Sequence, residues 1–137
     1  MKNTDFFKKD IVIPKVKEVY IAIVREYNDA YRVYDWSAYI INNKSEDLEV
    51  VIIVSRGYSE LKKTATFRKK IDTLPSKSYE KIELIPDELL SINNLFRVSF
   101  FGGNTLYEKS FEFRKGTISE AFAEEIPLLG LKGVLRH

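Results

Sequence analysis

The sequence predicts an all-β protein, an antiparallel β-sandwich of about seven strands followed by a short helical or extended C-terminal tail. Three observations carry that prediction. Runs rich in Val, Ile, Tyr and Phe recur along residues 16–113, and these residue types suit a pleated, half-buried surface. Clusters of turn-forming residues punctuate them, among them Asn28-Asp29-Ala30, Leu74-Pro75-Ser76-Lys77 and Gly102-Gly103-Asn104. No long helical period lies between the runs, which disfavours a parallel arrangement with crossover helices.

Taken in order, Ile11-Val12-Ile13-Pro14 reads as a short edge strand ended by a proline that cannot donate to a ladder. The first firm strand is Val16 to Tyr27, apolar on both faces, with Val19, Ile21 and Ile23 on one and Tyr20, Ala22 and Val24 on the other. Val33 to Asn43 and Leu48 to Arg56 follow as a hairpin near the middle of a sheet. Trp36, Ala38, Ile40, Val50, Ile52 and Val54 are expected inward, with the polar loop Asn42 to Asp47 between the strands. Lys62 to Ile71 reads as a polar edge strand with Phe67 inward and Lys62, Arg68 and Lys70 outward. Ser78 to Ile85 carries Ile82 and Leu84 inward. Pro86 to Leu90 has the proline and acids of a single helical turn. Leu95 to Phe101, with Phe96, Val98 and Phe100 on one face, is joined by a tight glycine turn to Thr105 to Phe113, where Tyr107, Phe111 and Phe113 face inward. In the tail Ile118, Phe122 and Ile126 recur four apart, which predicts a short helix over Ser119 to Glu125. The apolar run from Pro127 to Leu135, broken by Gly130 and Gly133, must then be covered, either by closing an edge of its own domain or by reaching across to a second copy as a homodimer strap, the arrangement favoured here.

One domain spans residues 1–137, with a sandwich core of about 16–115 and a tail of 116–137. The 22 basic and 20 acidic residues nearly cancel, so an electrostatic site must be local. The chain has no cysteine, and Met1 to Asp10 lacks the apolar run of a signal peptide; both suggest a cytoplasmic protein. No run is long enough for a membrane span. Asn43-Lys44-Ser45 matches the glycosylation pattern, which matters only for an exported chain.

The chemistry available is sparse. The one histidine is the last residue, His137, so interior Ser-His-Asp, Cys-His and histidine metal sites cannot be assembled. The acid pairs Glu46-Asp47, Asp87-Glu88 and Glu124-Glu125 are sequence neighbours whose side chains point apart on a strand or serve a helix end. No cofactor or metal is expected. Two surfaces are candidates for binding. One is the tyrosine group Tyr27, Tyr31, Tyr34 and Tyr39 around Trp36, suited to a protein partner because tyrosine offers large contact area at low entropic cost. The other is the basic stripe of Lys62, Arg68 and Lys70, suited to phosphates.

The seven strands, the tryptophan on the second firm strand and Leu74-Pro75-Ser76-Lys77-Ser78-Tyr79 leading into a late strand resemble immunoglobulin and fibronectin type III sandwiches over residues 16–113. The pieces Lys62-Lys63-Thr64, Val98-Ser99-Phe100-Phe101 and Gly133-Val134-Leu135 resemble a small family of uncharacterised bacterial proteins, some of which carry the name phenylalanyl-tRNA synthetase α subunit. That name would imply tRNA aminoacylation, which needs ATP-binding arginine motifs that no segment here matches. The reading is therefore a non-enzymatic protein-binding or assembly module. The alternatives are an RNA- or tRNA-associated accessory protein using the basic stripe and, third, an enzyme using carboxylates on a sugar or phosphate substrate.

Overall fold

The computed structural model describes residues 14–137; Ile11 to Ile13, read above as an edge strand, lie outside them. Two antiparallel sheets pack face to face. The first holds five strands in the order β5-β2-β1-β9-β8 and the second four in the order β4-β3-β6-β7. The strands are β1 Val19–Asn28, β2 Val33–Asn42, β3 Leu48–Tyr58, β4 Phe67–Leu74, β5 Ser78–Ile85, β6 Asn93–Gly102, β7 Thr105–Phe113, β8 Glu124–Glu125 and β9 Lys132–Arg136. The inner faces enclose one core that includes Ile21, Ile23, Trp36, Ala38, Ile40, Ile53, Ile82, Phe96, Val98, Phe100, Phe111 and Phe113. Prolonging the alternating pattern placed most of these correctly. Gly103, at φ 63°, makes the turn that returns β6 to β7.

The expected β2–β3 hairpin is not formed, because the two strands lie in different sheets. The Asn42 amide explains the crossing. It is wholly buried and donates to the carbonyls of Glu46, Leu74 and Pro75 at 2.9, 3.1 and 3.0 Å, tying the β2–β3 connection to the β4–β5 connection. Ser76 reinforces the tie, donating its backbone N–H to Asp47 at 2.8 Å and its hydroxyl to the Lys44 carbonyl at 2.6 Å. Both crossings thus sit at one end of the sandwich and share one hydrogen-bond network.

The inward phase of β3 also differs from the expectation. The register against β6 shifts between Glu49 and Ile52, and Val50 adopts φ 48°. One extra residue inverts the alternation beyond it. Leu48, Val51 and Ile53 are therefore core, while Val50 and Ile52 are 41% and 38% exposed and Val54 is half-buried. A second irregularity, where β5 meets Ala38 and Tyr39, turns Ile85 inward and leaves Leu84 exposed. Phe67, expected inward, opens β4 at the rim and is exposed, because Lys62 to Thr66 form a loop rather than the start of that strand. The loop is fastened to Gly57 through the Thr64 hydroxyl, which accepts from the Gly57 N–H at 2.8 Å.

The tail belongs to the sandwich and adds β8 and β9, so that the described residues form nine strands where seven were expected. β9 pairs with β1 of its own chain and puts Val134 into the main core. Ile126 covers the outer face of the first sheet over Ala22, Val24 and Ile41, with Leu129 and Leu135 beside it. This second cluster explains why β1 is apolar on both sides. Of the apolar tail residues Ile126 and Val134 are thus buried within their own chain, whereas Leu128 and Leu131 stay 43% and 37% exposed. Close approach requires Gly133, since a Cβ there would stand 2.6 Å from the Ile23 carbonyl oxygen and 2.9 Å from the Val24 Cα. The expected Ser119–Glu125 helix is only a 3-10 turn over Glu120–Phe122, with the Ser119 hydroxyl accepting from the Ala121 N–H at 3.1 Å. Ile118 faces the main core and Ile126 the outer cluster, whereas Phe122 is 58% exposed, so the four-residue spacing does not mark one helical face.

Candidate functional site

The ends of β1, β3, β5 and β7 and the starts of β2, β4, β6 and β9 meet at the end of the sandwich opposite Asn42. Two features lie there, one anticipated from sequence and one not.

The anticipated feature is aromatic. Tyr27 and Tyr34 face each other across β1 and β2, with ring centroids 5.2 Å apart and edge to face. They continue the row of Ile23 and Ala38, which are wholly buried, but Tyr27 and Tyr34 are 49% and 60% exposed. The Arg25 guanidinium lies 5.5 Å from the Tyr34 ring centroid and 3.4 Å from Glu120. Tyr31 sits in the adjoining turn, which is held by the Asn28 side chain accepting from Ala30 and Tyr31 and donating to Asp35. Tyr39 does not join this group. Side chains alternate, so it lies on the outer face of the first sheet, against Tyr79, with its hydroxyl donating to the two Glu26 oxygens at 2.6 and 3.0 Å. Burial and then the Glu26 bond raise its pKa well above the usual phenol range.

The basic stripe is not assembled. Lys62 lies in the loop before β4, while Arg68 and Lys70 lie on the outward face of β4 opposite Val54 and Ile52. Acids intervene: Lys70 pairs with Asp72 at 3.5 Å, and Arg97, on β6 across β3, with Glu108 at 3.9 Å. The expectation failed because it started β4 five residues early and so placed a loop lysine on a strand face.

The unanticipated feature is a cleft of about 280 Å³ between the sheets, lined by apolar side chains including Phe67, Leu89 and Phe96 and by the polar Ser55, Glu83 and Asn94. Ser55 comes from β3 and Glu83 from β5, and the serine hydroxyl donates to the Glu83 carboxylate across the gap. Asn94 is spoken for, donating to the Leu89 and Ile92 carbonyls at 2.8 and 3.2 Å. The irregularity in β5 is what turns Glu83 toward the other sheet, and no periodic reading of Ile82-Glu83-Leu84-Ile85 signals it. Burial raises the Glu83 carboxyl above the ordinary glutamate range, and the Ser55 bond offsets part of the rise. The Ser55 hydroxyl and the partly desolvated Glu83 carboxylate share the lining with Thr64, Arg56 and Glu88, a set of polar groups able to orient a ligand against the apolar wall. Among the described residues no group of three or more His, Asp or Glu side chains is placed to hold a metal ion, and no helix is long and apolar enough to cross a membrane.

A pH dependence follows from Glu83. An acid that holds its proton more tightly when folded contributes most below its unfolded-state pKa, about 4.3, and that contribution is lost as pH rises through the raised folded value. Other carboxylates respond in the opposite sense, so the informative quantity is the stability of the wild type minus that of Glu83→Gln. Urea denaturation from acid to neutral pH is expected to show this difference falling and then levelling off; a difference that rises with pH would contradict the desolvated state of Glu83.

No protein-family model, no curated protein and no solved structure matches this chain.

Proposed function

We propose that the chain is a non-enzymatic protein-binding module, immunoglobulin-like in plan, that receives a partner protein on the surface of Tyr27, Tyr31 and Tyr34. The order β1-β2-β5 in one sheet opposite β3-β6-β7 in the other supports the plan, with β4 attached to β3. The observation that carries the function is the exposure of Tyr27, Tyr34 and Arg25 together at the end of a face whose preceding members, Ile23, Trp36 and Ala38, are core. Tyrosine and arginine are the residue types on which binding energy concentrates, and Arg25 stands against this pair. The partner that fits lays an apolar side chain against the exposed faces of the two touching rings, flanked by acceptors for the tyrosine hydroxyls.

Capture from native cell extract followed by mass spectrometry tests this with three proteins: wild type, Tyr27→Ser/Tyr34→Ser and Arg68→Glu/Lys70→Glu. Both rings are about half exposed, so the tyrosine variant should lose little beyond their edge-to-face contact, about 0.5 to 1.5 kcal/mol, and stay folded. The expected result is a partner lost by the tyrosine variant, kept by the charge variant, and bound about thirtyfold more weakly by the tyrosine variant once purified, as losing about 2 kcal/mol implies. Equal capture by the tyrosine variant would overturn the reading. Salt-dependent retention of RNA that only the charge variant loses would replace it with the RNA-associated role.

A further inference from the structure

We infer that the cleft between the sheets is a binding site for a small arylalkylamine, with its ring among Phe67, Leu89 and Phe96 and its ammonium on Glu83. The inference is independent of the tyrosine surface. Glu83 lies within 4.0 Å of no basic group among the described residues; the ion pairs formed there all use other acids. Among the described residues Arg56 is the one basic residue lining the cleft, and its guanidinium lies 5.8 Å from the Tyr58 ring centroid. With Glu88 at the rim, the lining carries two acids and one base.

A partly desolvated carboxylate without a cation is costly, and a ligand ammonium supplies the missing charge. The Ser55 hydroxyl satisfies one oxygen of Glu83 and fixes the carboxylate in place, leaving acceptor capacity for a second donor. The desolvated character of Glu83 adds to this, since the charged form is the one an ammonium would restore. Size limits the body of the ligand. An apolar cavity of about 150 Å³ takes benzene, so about 280 Å³ accommodates one ring with a short chain. Phe67 at the rim, exposed although its residue type favours the core, offers that ring an aromatic face. A carboxylate ligand would meet Glu83 and Glu88 and be repelled.

The test is a titration of the isotope-labelled full chain, followed by amide NMR shifts, with 2-phenylethylamine, its neutral analogue 2-phenylethanol and the anionic 3-phenylpropionate. The expected result is saturable shifts centred on Ser55, Phe67 and Glu83, with the amine bound at least about tenfold more tightly than the acid. Glu83→Gln should remove about tenfold of the amine affinity and leave the alcohol unchanged. Absence of saturable shifts, equal affinity for amine and acid, or shifts centred elsewhere overturns the assignment. Should Glu83→Gln fail to fold, Ala65→Trp at the exposed rim replaces it; amine binding undiminished in that variant overturns the assignment equally.

Discussion

Replacing Trp36 with alanine is expected to destabilise the fold by about 3 kcal/mol, the lower end of the range of about 3 to 5 kcal/mol for removing a large aromatic side chain from a core. Trp36 is 8% exposed, stands between Arg25 of β1 and Ile85 of β5, and closes the main core at the end where the tyrosines begin. The lower end applies because Trp36 also lines a cavity of about 210 Å³ with Arg25, Tyr34, Glu120, Ala123 and Lys132. Polar groups at that cavity let water follow the truncation instead of leaving a dry void. Trp36 is the one tryptophan, so its fluorescence vanishes with the substitution and the transition must be followed by far-ultraviolet circular dichroism. A loss below about 1 kcal/mol, typical of a surface change, would show that the indole does not close the core. The same variant should weaken any partner held at Tyr34, because the ring on the same face two residues earlier loses its support.

Asn42→Ala is expected to cost about 2 to 4 kcal/mol. The substitution removes a buried amide that donates to three carbonyls and accepts from the Lys44 N–H at 3.0 Å. Each buried polar group left unpaired costs about 1 to 3 kcal/mol, and water reaching the carbonyls of the more open Glu46 and Pro75 lowers the total. The Leu74 carbonyl is the one held in a fully buried bond. Asn42→Asp separates packing from donation: it keeps the shape but turns the donor into an acceptor facing three acceptors, so it should be as harmful as alanine or worse. Denaturant midpoints at unchanged slope provide the measurement. A variant as stable as wild type would mean that the two crossings are held by Ser76 and Asp47 without the amide.

The two substitutions probe opposite ends of one sandwich, and sequence reading fared differently at each. Along β1 and β2 up to the Trp36 end the alternation was legible from Val19, Ile21 and Ile23 and from Trp36, Ala38 and Ile40, because these two strands pair with each other without a bulge. Tyr27 and Tyr34 could be singled out there by residue type alone. Their pairing, and the separation of Tyr39 on the other face, followed once the strand register was known. At the Asn42 end the loop residues signalled a turn, yet not which sheet the chain enters next. A hairpin and a crossing between sheets place the same local demands on Asn42 to Asp47; the difference lies in carbonyls more than 30 residues away, at Leu74 and Pro75.

By itself the sequence determined the all-β class, the positions of most strands, the identity of the core in β1, β2, β6 and β7, and the lack of interior histidine or cysteine chemistry. These depend on residue type and on period two, which are local properties. Tertiary structure alone decided the rest. Val50 to Val54 is apolar at every position, so only the bulge against β6 selects Val51 and Ile53 for the core. The glycine-broken tail is equally apolar in any setting, and only the exposed edge of β1, which accepts Gly133 without a clash, makes it β9. The Ser55 and Glu83 pair has no sequence signal because its members are 28 residues apart on different sheets, and they meet only when an irregular β5 turns the carboxylate across the core.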